Sequence, residues 1–191
     1  MLPQGAVTPQ QSREWFRDMA RNVKSMSVPA FQKNTTPFQN VENLSENSVG
    51  RMYFFQYDPK TKNEMDYYDT FPLVFPIELP FPGSEPGFLV INLHYISPVL
   101  RARLMDALYT TINNNKLNKT TKLQINYGIL KSASQFKYFK PCVKHYLFSH
   151  VQSSFINQNP AVWDYALLLP AERFKKKSKE YVWMNSLLKM A

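Results

Sequence analysis

Acidic residues are missing from a long internal stretch of this 191-residue chain. No Asp or Glu occurs between Asp106 and Asp164, whereas seven lysines do, against a formal net charge of +9 for the whole chain. A surface with charge of one sign attracts phosphate, anionic lipid head groups or an acidic protein face. The alternative is that these lysines only keep an ordinary surface hydrated. The seven are Lys116, Lys119, Lys122, Lys131, Lys137, Lys140 and Lys144.

Cysteine, glycine and long apolar runs are also scarce. Cys142 is the only cysteine, which excludes an intrachain disulfide and a zinc site built from cysteines, and fits a reducing compartment. The five glycines form none of the loops by which nucleotide-binding proteins hold phosphate. Because no run of about eighteen apolar residues occurs, we expect no membrane-spanning helix.

Apolar material is nevertheless sufficient for a packed interior. Hydrophobic residues make up 44% of the chain and aromatic residues 15%, and a chain of this length forms one domain of ordinary size. We expect a single α+β domain over residues 51–191, preceded by an N-terminal helix and an extended arm over residues 1–50.

The N-terminal helix is predicted from Pro9 to Met26, with Thr8 as its cap. Apolar residues from Trp15 to Met26 recur at three- and four-residue steps, and basic residues occupy the remaining surface. Such a helix lies either on nucleic acid or a partner subunit, or on its own domain. The basic residues considered for binding are Arg13, Arg17 and Arg21.

Residues 27–50 lack periodicity and are rich in amides, which predicts a linker or an extended surface segment. Phe31 and Phe38 would anchor this segment to a neighbouring subunit or to its own domain, and both alternatives remain open.

Three aromatic segments predict strands: RMYFFQY at 51–57, PLVFPI at 72–77 and GFLVINLHY at 87–95. Together they favour a small curved antiparallel sheet or an SH3-like barrel with packed helices. Pro72 and Pro76 bracket the middle strand, which favours an edge position or a bulge because proline cannot donate to the ladder.

The remaining chain predicts mainly helices. Apolar spacing and caps indicate four of them. In addition, WDYALLL at 163–169 is interpreted as a buried strand. The predicted helices are Pro98–Ile112, Thr121–Ser134, Pro141–Val151 and Ser178–Met190.

Patterns for catalysis are weak, and we predict neither an enzyme nor a metal or cofactor. His145 and His150 are five residues apart and would lie on different faces of the predicted helix. Cys142 and His145 would share a face as nucleophile and base, but a lone cysteine is usually a small core residue. A metal-independent ribonuclease on an SH3-like barrel is kept as an alternative. Its charge stabilisers and proton shuttle would be Arg51, Lys60, Lys62 and His94.

Binding to nucleic acid has more support, because lysines alternate with tyrosines and phenylalanines. Lysine contacts phosphate, and aromatic rings stack on bases. The leading hypothesis is a non-enzymatic basic protein that binds the DNA backbone. A structural subunit that docks on acidic neighbours is the main alternative, and a homo-oligomer is left open. The candidate binding residues are Lys137, Lys140, Lys144, Lys175, Lys176 and Lys177, assisted by Arg13, Arg17 and Arg21.

Five segments resemble proteins of T4-like tailed bacteriophages: residues 57–77, 87–95, 101–109, 139–151 and 163–174. They include YDPKTKNEMDYYDTFPLVFPI and FKPCVKHYLFSHV, and the resemblance spans roughly residues 50–185. The resemblance implies a place in the virion or in the host cytoplasm during assembly. It implies DNA or other virion proteins as partners, with a role in DNA-end protection, packaging or particle structure.

Overall fold

The computed structural model describes residues 39–42, 44–45, 48–81, 85–112, 114–137, 139–158, 160, 163–168 and 171–189. Six of the strands in this part of the chain form one antiparallel sheet, and two short strands form a separate pair. Helices pack beside the sheet, which confirms the predicted α+β class.

The strands are β1 (Gln39–Glu42), β2 (Met52–Phe54), β3 (Tyr68–Asp69), β4 (Leu73–Phe81), β5 (Gly87–Asn92), β6 (Val143–Leu147), β7 (Phe155–Gln158) and β8 (Phe174–Lys175). The large sheet has the order β1-β7-β2-β4-β5-β6, and β3 pairs with β8. The helices are α1 (Pro98–Ile112), α2 (Lys119–Gln135), α3 (Trp163–Leu168) and α4 (Lys179–Leu188), with 3-10 turns at Leu93–Tyr95, Lys140–Cys142 and Phe148–His150. None of these helices has the length and apolar character needed to cross a membrane.

Side chains alternate between the two faces of the sheet along each strand, and both faces are buried in hydrophobic clusters. One face packs against the helices, and there the ring of Phe75 meets that of Trp163 from α3 at 5.0 Å. The other face carries a second, mainly aromatic cluster around Phe55, Phe88 and Tyr146. Edge strand β6 contributes Tyr146 to this second cluster and also borders the candidate site.

Of the two predicted alternatives, the antiparallel sheet is confirmed, and the described residues do not form the SH3-like barrel. In the part of the chain that the structure describes, β1 and β6 stand at opposite ends of the strand order, so the sheet stays open. The physical reason is the helical layer: Leu108, Leu130 and Trp163 fill the space beside the sheet that the opposite wall of a barrel would take.

The prolines predicted an edge position or a bulge for strand β4, and the bulge is the alternative that forms. Strand β4 lies inside the sheet between β2 and β5, so the predicted edge position is wrong. The predicted bulge is present, because the register with β5 shifts between Pro76 and Glu78. The paired residues of β2 oppose only Leu73 and Val74, so Pro76 lies beyond that pairing.

The helix predicted from Pro141 to Val151 is also wrong. Only a 3-10 turn forms at Lys140–Cys142, and β6 follows, paired with β5 from Val143 opposite Ile91 to Leu147 opposite Gly87. Backbone hydrogen bonds to the open side of β5 outweigh the local helical spacing of the apolar residues, which only a long-range partner could override.

The WDYALLL segment is a helix rather than the predicted buried strand. Helix α3 covers Trp163–Leu168. Trp163, Ala166 and Leu167 are buried, and their spacing of three and four residues places them on one helical face. A short apolar run is compatible with either structure, and packing against the helical layer selects the helix.

The other three predicted helices are confirmed. Helix α1 begins at Pro98 as expected, and α2 covers the segment predicted over Thr121–Ser134. Helix α4 is capped by Ser178, whose hydroxyl accepts from the Tyr181 backbone amide. The N-terminal helix predicted over Pro9–Met26 lies outside the described residues.

Strand β1 belongs to the segment that the sequence assigns to the extended arm. Gln39–Glu42 pairs with β7 and so adds a strand at one edge of the sheet. The division at residue 50 between arm and domain remains a prediction.

Candidate nucleic-acid interface

Lys144 lies on edge strand β6, beside the aromatic face of the sheet. Its partly buried ammonium lies 4.0 Å from the centre of the Tyr95 ring, which is a cation–π contact. Burial lowers the pKa of Lys144 to about 8, and the positive charge of nearby Lys189 acts in the same direction. In the described part of the chain no carboxylate pairs with this amine. A buried, unpaired ammonium favours an anionic ligand.

Tyr95 connects Lys144 to a cluster of four aromatic rings. Phe174 of β8 meets Tyr95 edge-on at 5.2 Å, and Tyr67 lies 6.0 Å from Tyr95. Tyr67 in turn contacts Tyr181 of α4 at 6.3 Å. Burial raises the pKa of Tyr95 far above its ordinary value, so its hydroxyl stays protonated. We call Tyr67, Tyr95, Phe174 and Tyr181 the tyrosine cluster.

A cavity of about 230 Å³ opens between strand β6 and the loop at residues 58–66, and we call it the β6 cavity. Lys144 and the tyrosines form much of its wall. Its lining residues are Tyr57, Pro59, Lys60, Thr61, Met65, Tyr68, Asp69, Tyr95, Lys144, His145, Tyr146 and Leu147.

The loop wall of the β6 cavity is held in place by contacts from distant segments. Lys176 donates to the backbone oxygens of Met65 at 2.6 Å and Asn63 at 3.2 Å. At the other end of the loop, the Asp58 amide donates to the His150 carbonyl at 3.1 Å. The cavity is therefore formed in the folded chain before any ligand enters.

Asp69 is the one carboxylate in the lining of the β6 cavity, and it is already engaged. Its oxygens accept from Asn92 at 3.2 Å and contact Nδ1 of His94 at 2.7 Å. Burial acts to raise the pKa of Asp69, but the interactions with His94, the Phe71 amide and Asn92 outweigh it and lower that pKa. The carboxylate of Asp69 is thus already engaged by its protein partners.

The structure places two of the candidate lysines on rings of the tyrosine cluster, Lys144 on Tyr95 and Lys177 on Tyr181. Lys175 lies opposite Tyr68 in the β3–β8 pair, and the Lys177 ammonium lies 4.9 Å from the Tyr181 ring. Lys140 begins the turn that packs on Leu93–Tyr95. Lys137 is exposed in the segment before that turn. The predicted contributions of Arg13, Arg17 and Arg21 lie outside the described residues.

The ribonuclease alternative loses its proton shuttle. His94 is 0% exposed, so no substrate reaches it in the folded chain. Of the proposed charge stabilisers, Lys60 pairs with Glu85 and Lys62 pairs with Asp58 at 2.8 Å.

The Cys142–His145 pair is not formed in the way the sequence suggested. The helix that would give Cys142 and His145 a common face does not form, because His145 lies on strand β6. Cys142 is buried, burial raises the pKa of its thiol to about 12, and the thiol donates to the Phe139 carbonyl. Within the described ranges, no group of three or more histidine, cysteine, aspartate or glutamate residues could hold a metal ion.

Sequence reasoning missed Tyr95, Tyr57 and Lys189 as parts of this site. Tyr57 and Tyr95 close two of the predicted strand segments, so their aromatic character was assigned to the core. Lys189 lies at the end of α4 and approaches Lys144 only in the tertiary structure.

The fold and the site define an α+β protein of basic composition, with a cavity lined by Lys60, Lys144 and several tyrosines. The sequence profile of the family described as "Phage T4 terminal DNA protecting protein" matches residues 1–189, and the chain belongs to this family. The match confirms the resemblance to proteins of T4-like phages and extends it over the N-terminal fifty residues. No curated protein and no solved structure gave a significant match.

Proposed function

We propose that the chain binds the ends of phage DNA in the virion and shields them from nucleases without catalysing a reaction itself. The observation that carries the proposal is family membership over residues 1–189, since the family is described as protecting terminal DNA. The candidate lysines would contact the DNA backbone, so binding would depend weakly on sequence.

Two of the candidate lysines, Lys140 and Lys175, support the proposal through their charges. Lys140 and Lys175 are exposed, and neither forms an ion pair with a described carboxylate. Lys176 and Lys177 are exposed as well, although carbonyl oxygens and the Tyr181 ring hold their ammonium groups. A phosphate backbone would supply the missing counter-charge.

The proposal is tested by titrating the full chain with a linear duplex at several salt concentrations and by adding an exonuclease. We expect affinity to fall steeply with salt, with about 0.9 in the logarithmic slope for each phosphate that a lysine neutralises. We also expect the bound duplex to resist digestion from its ends. A circular duplex of the same sequence should compete less well per molecule than the linear one.

The double variant Lys140→Glu/Lys175→Glu should lose both affinity and protection. Lys116→Glu is a matched control because Lys116 is also exposed. It precedes α2, whose 17 residues separate it from the Lys140 turn by about 25 Å. If wild-type chain leaves the ends open to digestion at low salt, DNA-end protection is excluded.

A structural role beside other virion proteins is the second candidate. Helix α4 exposes apolar side chains, with Met184 at 55% and Leu188 at 68% exposed, and an exposed apolar patch often marks a protein contact. Met184→Glu/Leu188→Glu should then reduce incorporation into particles while leaving DNA affinity unchanged. Incorporation at the wild-type level would remove this candidate.

A further inference from the structure

We propose that the β6 cavity receives the terminal phosphate of a DNA strand, with the Lys144 ammonium as its charge partner. The inference rests on the proposed function and names the part of the DNA that the site selects. Neither the family description nor the lysine pattern of the sequence singles out this cavity or assigns Lys144 a role different from that of the other lysines.

The position of Lys144 is the first argument. Its amine is partly buried against Tyr95, and within the described chain it has neither a carboxylate partner nor a hydrogen-bond acceptor. Exposed lysines such as Lys140 satisfy their charge with water, whereas an ammonium at a cavity wall is only partly hydrated. An anion that enters the cavity would therefore gain a strong, charge-assisted hydrogen bond.

The size of the cavity is the second argument. At about 230 Å³ it is below the range typical of sites for whole drug-sized ligands. An internal phosphodiester carries a sugar on each side, which would hold its oxygens at the rim. A terminal phosphate has a sugar on one side only, so it can reach the Lys144 amine.

The charge of a terminal phosphate is the third argument. A phosphomonoester carries about −1.5 to −2 charges at neutral pH and has three strong acceptor oxygens. Besides Lys144, the cavity is lined by the His145 ring and the Thr61 side chain, which can donate hydrogen bonds. Asp69 also lines the cavity and would repel a phosphate. Its oxygens already contact His94 and Asn92, which reduces this repulsion.

Aromatic side chains at the mouth of the cavity fit the nucleotide that follows the phosphate. Tyr68 is partly exposed, and Lys175 lies beside it in the register of the β3–β8 pair. A terminal base or sugar would rest on the Tyr68 ring while Lys175 meets the next phosphate along the strand. The cavity and the exposed lysines would thus contact one continuous strand end.

The test compares one short duplex prepared with 5′-phosphate, 3′-phosphate or hydroxyl ends, each titrated against the full wild-type chain at a fixed salt concentration. We expect one of the two phosphorylated ends to bind about tenfold more tightly than the hydroxyl end. In Lys144→Met this preference should shrink to less than twofold, while the salt-dependent binding of hydroxyl ends persists. Lys116→Met should keep the full preference.

The outcomes separate the inference from the proposed function. Tight, salt-dependent binding with equal affinity for phosphate and hydroxyl ends would overturn the cavity assignment and leave DNA binding intact. Absence of binding to all duplexes would overturn both. If inorganic phosphate displaces the phosphorylated duplex at equal concentration, the cavity is a site for free phosphate and the inference also fails.

The comparison does not depend on the stability of one variant. The end preference is measured on the wild-type chain with chemically different DNA, so it stands even where a substitution unfolds the protein. Circular dichroism of Lys144→Met checks that its loss of preference comes from a folded chain. Lys144→Arg keeps a charge in place and should retain part of the preference.

Discussion

Arg101 and Glu172 form an ion pair that is buried almost completely, with side-chain exposures of 0% and 3%. The Arg101 guanidinium also donates to the backbone oxygens of Leu93 and Leu167, each at 2.8 Å. One side chain therefore ties α1 to the Leu93–Tyr95 turn, to α3 and to the segment before β8. Tyr95 belongs to this turn, so the interaction positions the tyrosine cluster.

Replacing Arg101 by methionine should destabilise the protein by about 3–5 kcal/mol, because buried Glu172 loses its main partner and keeps, among the described ion pairs, only Lys179 at 3.9 Å. Chemical denaturation at pH 7 measures this change. The double variant Arg101→Met/Glu172→Gln should recover part of the loss, since it removes the buried carboxylate charge. A single variant as stable as wild type would show that the ion pair contributes nothing to the fold.

Gly87 is predicted to be indispensable for the pairing of β5 with β6. An added Cβ would collide with the His145 ring and with the Tyr146 carbonyl, and that carbonyl belongs to a paired strand and cannot move away freely. Gly87→Ala should cost about 1–3 kcal/mol of stability. The matched control is Gly128→Ala, within helix α2, where a Cβ meets nothing within 4 Å.

Gly128→Ala should raise stability by about 0.5–1 kcal/mol, because alanine favours the helix over the unfolded chain. Thermal melts of both variants give the comparison. Equal effects of the two substitutions would contradict the close approach of β5 and β6.

Lys144 should make stability rise with pH over an alkaline window. Its pKa of about 8 in the folded chain lies below the ordinary value of 10.5. Below pH 8 both states hold the proton and the buried charge costs free energy. Between these two values the folded state loses its proton first, so stability increases, and above 10.5 the cost is gone.

The measurement is the difference in unfolding free energy between wild type and Lys144→Met from pH 7 to pH 11. The methionine variant should be more stable at pH 7 by on the order of 2 kcal/mol, and the difference should vanish at the alkaline end. The comparison cancels most of the titration of Cys142, Tyr95 and Lys189, which face the amine. A difference that stays constant over this range would contradict the buried position of Lys144.

Asp69 should also make stability rise with pH, but on the acid side. Its folded pKa lies below the ordinary value of 3.8, so its stabilising contribution is present above that value and is lost as pH falls through the folded pKa. Asp69→Asn should cost about 1–3 kcal/mol at pH 7, because the buried His94 ring and the Asn92 amide lose the carboxylate that they contact. The difference from wild type should shrink toward pH 2, whereas exposed Asp66→Asn should change little at any pH.

Local patterns predicted part of the fold correctly. The starts of α1 and α4 follow from Pro98 and Ser178. The segment of α2 was predicted as a helix, although Leu123, Ile125 and Tyr127 also alternate as in a strand. The aromatic segments that became β2, β4 and β5 were identified as strands. Caps, prolines and strand composition act over a few residues, so these elements can be predicted from a single sequence.

Errors arose where a distant partner decides the structure. Val143–Leu147 becomes a strand because β5 offers it hydrogen bonds, and Trp163–Leu168 becomes a helix because its apolar face meets the sheet. The described sheet does not close into an SH3-like barrel for the same reason, since helices cover the face that further strands would have enclosed. The local spacing of apolar residues does not show which distant segments will pair or pack with them.

The sequence by itself determined the excess of lysine in a stretch without acidic residues, and with it a basic surface suited to phosphate. Only the tertiary structure decided which lysine is buried and what surrounds it. Lys144 differs from Lys140 because strand pairing turns it toward Tyr95, while His94 is removed from solvent by its contact with Asp69. Net charge is a property of composition, whereas burial depends on which distant segments pack together.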